Sequence, residues 1–300
     1  MFNLKKWMLL IKFSCKSCRF FTGYKQAGID FWGMTIQNEP AISYPRFPWN
    51  TCHFTPQMEA SFVKTDLGPE LELNGYSPNN FVIMCLDHDR TFLPAWVDPI
   101  YTDSVASRWI KGTAVHWYGN SATNVTVYDE IHRKYPEKFI LATEACHSGP
   151  DGDRAGLGSW EIGQMYAHDI LRDLNHWVGG WTDWNLALDM AGGPNWVHNY
   201  QSAPIIVNAG ANEFYKNPSF YALGHFSKFL PPGSKRIRSE PELNDNEKFQ
   251  TGAFIRPDGA HVVIAINSWD ESQVVTITDS ARGEVKISVE PQSFNSYIYY

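Results

Sequence analysis

Phe31-Trp32-Gly33-Met34-Thr35-Ile36-Gln37-Asn38-Glu39-Pro40 is the stretch of sequence that decides the fold. Its first six residues are mainly apolar, which predicts a strand covered on both faces, and Pro40 cannot donate to a sheet, so the strand should end there. Glu39 is therefore expected at the carboxyl end of a buried strand. Parallel α/β sheets hold ligands and catalytic groups at that end, because the loops vary there while the strands keep their positions.

Four further apolar stretches repeat this pattern, at residues 81–86, 112–118, 139–146 and 178–186. Helical segments separate them at intervals of roughly 30 residues, which predicts βαβ units and a parallel sheet. We expect an α/β fold, the C-terminal part of a TIM (β/α)8 barrel with about five of its eight strands, in which each unit averages about 31 residues. The first three strands are then expected upstream of residue 1.

The chain divides into three predicted segments. Residues 1–22 are typical of an aberrant or unstructured N-terminus without a convincing signal peptide, because the apolar run at residues 7–11 is short and is followed by a lysine. Residues 23–230 are the partial barrel. Pro231-Pro232-Gly233-Ser234 marks a boundary, after which residues 231–300 alternate like short antiparallel strands and predict an all-β sandwich side domain.

The composition indicates a globular chain that does not bind nucleic acid. Charged residues make up 19% of the 300 residues, and the net charge of −7 comes without the basic stripe that phosphate binding requires. The chain has 12 Trp, 14 Tyr and 18 Phe, whose flat rings suit the faces of sugars, although an aromatic-rich core explains them equally well. Asn124-Val125-Thr126 is the sole N-glycosylation sequon and would be used only in a secreted protein.

Glu39 has a candidate partner in Glu144, which ends the stretch 139–144 at the same predicted edge of the sheet. Hydrolysis of a glycosidic bond requires protonation of a poor leaving group and stabilisation of an oxocarbenium-like carbon, and two carboxyl groups in different protonation states supply both. The alternative is that both are ordinary carboxylates at the rim of the sheet. The sequence leaves open whether their separation suits retention or inversion of configuration.

Several motifs resemble the glucosylceramidases of glycoside hydrolase family 30, over about residues 23–300. The motifs are Gln37-Asn38-Glu39-Pro40, His116-Trp117-Tyr118, Thr143-Glu144-Ala145, Gly180-Trp181-Thr182-Asp183-Trp184-Asn185-Leu186, residues 192–199 and His225-Phe226-Ser227-Lys228-Phe229. The resemblance implies a retaining β-glucosidase, a TIM barrel with a β-sandwich side domain, and cleavage of glucosylceramide without a metal or cofactor. It also implies a glycosphingolipid substrate, a saposin-like activator protein, peripheral contact with a membrane surface, and a lysosomal or secretory location.

The resemblance also assigns roles to individual residues. Glu39 resembles the general acid/base of the family and Glu144 its nucleophile. Asn38 matches the residue that binds the 2-hydroxyl of the sugar, a contact expected to strengthen in the transition state. Tyr118 matches a tyrosine beside the nucleophile, and His116 is expected to orient this rim, although a structural histidine is an equal alternative.

Three further positions complete the predicted substrate-binding set. Trp184 and Asn199 match residues that line the glucose pocket of the family. Asp89 departs from the family pattern, because many relatives carry Gln there and an uncharged contact is replaced by an acid.

The resemblance places further glucose-binding groups, and an Arg near the nucleophile, in the part of the family sequence that precedes residue 1. We therefore expect impaired activity from this chain alone. The alternatives are another family 30 glycosidase, such as a glucanase or xylanase, and an inactive fragment that acts only by binding.

Overall fold

The computed structural model describes residues 4–42, 47, 49–238 and 248–300. The chain forms two compact units: Met1–Ala145 with Trp177–Thr182, and Cys146–His176 with Asp183–Tyr300. Within the described ranges, no helix combines the length and the apolar character that a membrane-spanning segment needs.

The first unit alternates helices with parallel strands. Its elements in chain order are α1 (Leu4–Gln26), β1 (Gly33–Thr35), α2 (Pro56–Phe62), α3 (Gly68–Leu73), β2 (Val82–Asp89), α4 (Asp98–Tyr101), α5 (Ser104–Trp109), β3 (Ile110–His116), α6 (Val127–Lys134), β4 (Phe139–Glu144) and β5 (Val178–Trp181). A π-helical turn, Val63–Leu67, joins α2 to α3. Thr55 caps α2 by accepting a hydrogen bond from the Met58 amide, as its position before Pro56 predicts.

Helix α1 occupies the region where the sequence predicts an aberrant or unstructured N-terminus. Residues 4–22 contain no Pro or Gly and are rich in Leu, Lys and Phe, so nothing in their backbone chemistry interrupts a helix. The helix ends before Gly28, whose φ of 82° is the left-handed conformation that commonly terminates helices. Near this end, Phe21 is buried against Phe31 and Phe81.

The five strands of the first unit form one parallel sheet in the order β1-β2-β3-β4-β5. This confirms the predicted partial barrel. Strand β2 is buried over most of its length, with Ile83, Cys85 and Leu86 fully inaccessible, which is why its sequence is continuously apolar.

The register of this sheet places the functional positions side by side. Asp89 of β2 pairs with His116 of β3, and His116 pairs in turn with Glu144 of β4. Towards the carboxyl ends of these strands the register shifts between Leu86 and His88 and again between Val115 and His116, so that β2 and β4 each carry an extra residue there. Such bulges re-aim side chains near the ends of strands.

The second unit contains two further helices and the remaining strands. Its elements are α7 (Trp160–Asn175), β6 (Ala187–Asp189), β7 (Ile205–Asn208), β8 (Glu213–Lys216), α8 (Pro218–Ser227), β9 (Lys235–Ile237), β10 (Phe249–Ile255), β11 (His261–Asn267), β12 (Gln273–Asp279), β13 (Gly283–Val289) and β14 (Ser293–Tyr299). The sheets are β14-β11-β10-β9, the β12-β13 ribbon and β6-β7-β8. The predicted β-sandwich strands are confirmed as β10 to β14.

Candidate active site

The carboxyl ends of β1, β3 and β4 bring two acids and an imidazole together. Glu39, His116 and Glu144 each have one side-chain N or O atom within 4.8 Å of such an atom in the other two. The carboxylate-bearing side chains of Glu39 and Glu144 are 16% and 19% exposed, so both open to solvent from a largely buried cluster. Two residues that are 105 positions apart in sequence therefore form one acidic pair.

The position of Glu39 is fixed by its backbone conformation and by a backbone hydrogen bond. Its φ of 45° is left-handed, which is uncommon for a residue other than glycine, and its amide donates to the carbonyl oxygen of Asp87 at 2.9 Å. Leu86 and Asp87 are also left-handed, with φ of 73° and 51°. Backbone outliers of this kind concentrate at functional sites, where the surrounding structure must hold them in place.

His116 has a carboxylate at both ring nitrogens. Nδ1 lies 3.4 Å from Glu39 Oε1 and 3.9 Å from Glu144 Oε1, while Nε2 lies 3.2 Å from Asp87 Oδ1. Both nitrogens need a proton to satisfy these acceptors. Burial alone lowers the pKa of His116, but the hydrogen bonds to Asp87 and Glu39 and the nearby negative charges outweigh it and raise the pKa to about 10.

Asp87 joins four strands, and the sequence analysis did not single it out as a site residue. Its Oδ1 accepts from the Thr143 hydroxyl at 2.7 Å, its Oδ2 accepts from the Thr35 hydroxyl at 2.6 Å, and His116 lies against Oδ1. The available signal was its place directly after the apolar run of β2. The bulge at residues 86–88 decides which acid of this segment faces the cluster, and a strict two-residue alternation does not reveal it.

Tyr118 donates its hydroxyl proton to Glu144 Oε1 at 2.9 Å. Burial raises the pKa of Glu144, while the positive charge of His116 and the Tyr118 hydrogen bond act in the opposite direction. The balance lies above the usual pKa of a glutamate. The structure therefore places next to Glu144 the two groups that favour its ionised form.

His88 and Asp89 form a second pair beside this cluster. His88 Nδ1 accepts from the Asp89 amide at 2.8 Å, and burial lowers the pKa of His88, so this imidazole is neutral near pH 7. Burial raises the pKa of Asp89, against the opposing effects of His88 and of a hydrogen bond from the Gly119 amide. Asp89 thus takes up a proton more readily than an exposed aspartate does.

The remaining predicted substrate-binding residues lie outside this cluster of contacts. Asn38 is exposed, and its carbonyl oxygen accepts from the Gln37 side chain at 3.0 Å. Trp184 and Asn199 belong to the second unit, where Trp184 is 40% exposed and Asn199 accepts from the Gln201 side chain at 2.8 Å. Their contacts with a sugar stay predictions.

Asp183 fixes the backbone next to Trp184 within the second unit. Its Oδ1 accepts from the Trp184 amide at 2.9 Å and from the hydroxyl of the buried Tyr166 at 3.0 Å. Burial raises the pKa of Asp183 to about 7, although these hydrogen bonds oppose the rise. Sequence reasoning named Trp184 and missed Asp183, because an acid between two Trp residues looks like an ordinary exposed loop residue.

Glu39, His116 and Glu144 are close enough together to be considered as metal ligands. A metal ligand must offer a lone pair, and an imidazole protonated on both nitrogens offers none. Because each ring nitrogen of His116 faces a carboxylate, at 3.4 Å and 3.2 Å, the geometry favours an imidazolium held between carboxylates over a metal site.

Two carboxyl groups at this separation, on the carboxyl ends of parallel strands, form the arrangement with which glycoside hydrolases cleave sugars. The class of protein that fold and site define is a glycoside hydrolase of the α/β-barrel type. The chain belongs to glycoside hydrolase family 30. The "Glycosyl hydrolase family 30 TIM-barrel domain" matches residues 11–230, and the "Glycosyl hydrolase family 30 beta sandwich domain" matches residues 233–297.

The relatives that this chain resembles are longer than the chain. The lysosomal acid glucosylceramidase of Mus musculus is 37% identical over 284 residues, which cover 94% of this chain and 54% of that protein. A Caenorhabditis elegans relative that carries glucosylceramidase in its name is 41% identical over 288 residues, with the same coverage of 94% and 54%. The crystal structure of SrfJ from Salmonella typhimurium has a TM-score of 0.87 and 25% identity, and the match covers 97% of this chain and 62% of that chain. The chain thus spans about half the length of these curated relatives, or 54%.

Proposed function

We propose that the protein to which this chain belongs is a retaining β-glucosidase that hydrolyses glucosylceramide to glucose and ceramide. The observation that carries the proposal is the approach of a Glu39 oxygen to a Glu144 oxygen within 4.8 Å. Retaining glycosidases hold their carboxyl groups about 5–5.5 Å apart, whereas inverting enzymes leave about 6.5–9.5 Å for a water molecule. This close approach supports retention over inversion.

The reaction proceeds in two displacements. In the first, the Glu39 carboxylic acid protonates the glycosidic oxygen while the Glu144 carboxylate attacks the anomeric carbon, so that a glycosyl ester forms and ceramide leaves as an alcohol. In the second, the Glu39 carboxylate takes a proton from water, the oxygen of that water attacks the anomeric carbon, and the ester bond to Glu144 breaks. Both carboxyl groups return to their starting state.

Glu144 attacks only as a carboxylate, and burial works against that form. The Tyr118 hydroxyl and the His116 imidazolium stabilise the negative charge, at 2.9 Å and 3.9 Å from Glu144 Oε1. His116 also contacts Glu39, so a single buried cation lies beside both acids.

The proposed substrate contacts follow the family resemblance. Asn38 binds the sugar 2-hydroxyl, and Trp184 and Asn199 line the glucose pocket. Asp89 takes the place of an uncharged Gln of the relatives. The upward direction of its pKa supports a substrate contact by a protonated, uncharged Asp89 in acidic surroundings.

The proposed setting comes from the relatives. The name of the Mus musculus relative supports a glycosphingolipid substrate and a lysosomal or secretory location. A saposin-like activator and peripheral contact with a membrane surface belong to the same proposal. Because the chain spans about half the length of that relative, 54%, we propose that turnover by this chain alone is impaired.

Two alternative functions are distinguished from this proposal by the experiments described below. A second family 30 activity is favoured by an endo-1,6-β-D-glucanase of Aspergillus fumigatus, which is 25% identical over 288 residues, and by a solved endo-β1,6-glucanase with a TM-score of 0.82. The other alternative is an inactive fragment that acts only by binding.

The test is covalent labelling with a cyclitol-epoxide β-glucosidase inactivator, followed by peptide mass spectrometry. It is applied to this chain and to the chain extended by whatever coding sequence precedes it. We expect labelling of the extended protein at Glu144, loss of labelling in Glu144→Gln, and normal labelling in Glu130→Gln, an exposed control on α6. Labelling elsewhere, with turnover by Glu144→Gln, would contradict the proposal.

Azide then separates the two roles with an activated aryl β-glucoside as substrate. Without the nucleophile, azide attacks from the face of Glu144, and Glu144→Ala should give the α-glucosyl azide. Without the acid/base, azide replaces water in the second displacement, and Glu39→Ala should give the β-glucosyl azide. The reverse pattern would exchange the assignments, and hydrolysis of β1,6-glucan in place of glucosylceramide would favour the glucanase.

A further inference from the structure

Glu59 is a buried acid that the proposed mechanism does not use. It lies on α2 and is completely inaccessible to solvent. Its Oε2 accepts from the indole N–H of Trp96 at 2.8 Å and from the Leu86 amide at 3.4 Å. Within the described residues, no hydrogen-bond partner faces its Oε1. A buried carboxyl group without a basic partner is costly, so its presence on the face of α2 that packs on β2 requires a reason.

The contact with Leu86 falls at the one point of β2 where the backbone leaves the strand conformation. Leu86 and Asp87 are consecutive left-handed residues other than glycine, and the register with β3 shifts between Leu86 and His88. We call residues 86–87 the β2 corner. Each such residue is strained and persists only where neighbouring groups hold it. Glu59 accepts a hydrogen bond from the Leu86 amide at this corner.

The β2 corner in turn fixes the acidic cluster. The carbonyl oxygen of Asp87 accepts from the Glu39 amide at 2.9 Å, and its carboxylate contacts His116 at 3.2 Å. A rotation of the corner would move Asp87 away from both. We infer that Glu59 is a positioning residue for the two proposed catalytic carboxylates: it holds the β2 corner, and through Asp87 the corner orients Glu39 and His116. The inference rests on the proposed function for the roles of those carboxylates.

The chemistry of Glu59 suits such a role in its neutral form. Burial, with a smaller contribution from the charge of Asp87, raises its pKa to about 8, against the opposing hydrogen bonds from Trp96 and Leu86. Cys85, the other titratable group of β2 that affects this site, is buried and its pKa is raised as well. A neutral Glu59 accepts two N–H groups on one oxygen, as the carbonyl oxygen of a glutamine would. A glutamine should therefore replace it, whereas a side chain of equal length without an oxygen should not.

The experiment measures the His116 ring by NMR in the 15N-labelled chain and needs no turnover. In the wild type and in Glu59→Gln, we expect the His116 ring N–H signals to persist as the pH rises above 8. In Glu59→Met, which keeps the length and removes the acceptor, we expect His116 to bind its proton about tenfold more weakly, a pKa lower by about one unit. The matched control is Phe62→Leu, which loosens the same helix at a buried ring packed on Phe54 and should leave the His116 titration unchanged.

The inference would be overturned if His116 in Glu59→Met kept its wild-type pKa. It would also be overturned if Glu59→Gln or Phe62→Leu lowered the pKa of His116 as much as Glu59→Met does. If Glu59→Met does not fold, the inference is tested by comparing the chemical shift of the Leu86 amide in the wild type and in Glu59→Gln. Its chemical shift should follow a titration near pH 8 in the wild type, and this titration should be absent from Glu59→Gln. If the chemical shift of the Leu86 amide in the wild type did not change with pH, the contact between this amide and Glu59 would be excluded. Labelling at Glu144 tests the function separately, because the NMR result does not depend on it.

Discussion

His116 is the residue whose charge the structure determines most strongly, and its replacement by glutamine tests the electrostatics of the site. The side chain is 1% exposed, so solvent screens its interactions little. Its pKa is raised from 6.5 to about 10, which means that the folded chain binds the proton more tightly than the unfolded chain. The resulting stabilisation is fully present below pH 6.5 and is lost as the pH rises through about 10.

The magnitude follows from these two values. With a folded pKa of about 10 and an unfolded pKa of 6.5, protonation of His116 contributes about 4–5 kcal/mol at pH 6 and about 1 kcal/mol at pH 9. We expect the wild type to exceed His116→Gln in free energy of unfolding at pH 6, and this excess to be smaller at pH 9 by about 3 kcal/mol. Taking the difference between the two proteins removes the titration of the groups on which the charge of His116 has no effect.

The assay is urea unfolding at pH 6 and pH 9, followed by tryptophan fluorescence. His225→Gln is the control, because burial lowers the pKa of His225 and its contribution should not decrease with rising pH. An excess stability of the wild type over His116→Gln that is equal at both pH values, or larger at pH 9, would refute the imidazolium assignment. The assignment would also be refuted if the stability difference from the wild type changed with pH in the same way for His116→Gln and His225→Gln.

Three further outcomes are expected. Tyr118→Phe removes a hydrogen bond to the Glu144 carboxylate at 2.9 Å, and we expect about tenfold slower labelling of Glu144 in the extended protein near pH 5, with the acidic limb of the pH profile moved upward; an unchanged profile would contradict the role of the hydroxyl. Gly33→Ala would place a Cβ 2.5 Å from the Val82 carbonyl oxygen, so we expect unfolding free energy to fall by about 1–3 kcal/mol in urea titrations, and an unchanged value would show that β1 and β2 can separate at no cost. Asn124 is exposed and its side chain accepts from the Thr126 amide at 3.0 Å, so secretion of the chain from a eukaryotic host should give one glycan that peptide-N-glycosidase removes and Asn124→Gln lacks, and an identical mass for both proteins would exclude its use.

The fold was predictable because its main signals are local. Apolar runs that end in polar residues located all five parallel strands, and alternation located β10 to β14. The short strands β6 to β9 were missed, since three or four residues such as Ala187–Asp189 are too few to establish a period. Helix α1 was missed for a different reason: its sequence is not a convincing signal peptide, but residues 4–22 contain no Pro or Gly that would interrupt a helix, and the family model matches the chain from residue 11.

The sequence predicted those residues of the candidate site that belong to recognisable motifs. It did not predict the residues whose importance depends on the three-dimensional arrangement. Glu39 and Glu144 follow from strand ends and from the family resemblance. Asp87 and Glu59 do not, because their importance arises from the β2 corner, and two left-handed residues in a row have no signature in side-chain type when neither is glycine. Asp183 was likewise hidden, since only the fold reveals that Tyr166 is buried against it.

The charges of the cluster explain why it contains three acids when the proposed reaction uses two. His116 with a proton on both nitrogens is a full positive charge, and Asp87 lies closest to it, at 3.2 Å. Asp87 therefore balances the imidazolium and leaves Glu39 and Glu144 as a pair. Two ionised carboxyl groups this close repel each other, and the charge of Glu39 is one of the causes that raise the pKa of Glu144, after burial.

The hydrogen bonds around Glu39 and Glu144 differ. The Tyr118 hydroxyl donates to Glu144 and favours the carboxylate there. Of the contacts described around Glu39, only one side-chain contact is with a possible donor, His116, at the longer distance of 3.4 Å. The Tyr118 hydroxyl therefore favours, at Glu144, the carboxylate form that the proposed first displacement needs for attack on the anomeric carbon. The third acid and the tyrosine thus give the two glutamates unequal surroundings, as the proposed roles of acid and nucleophile require.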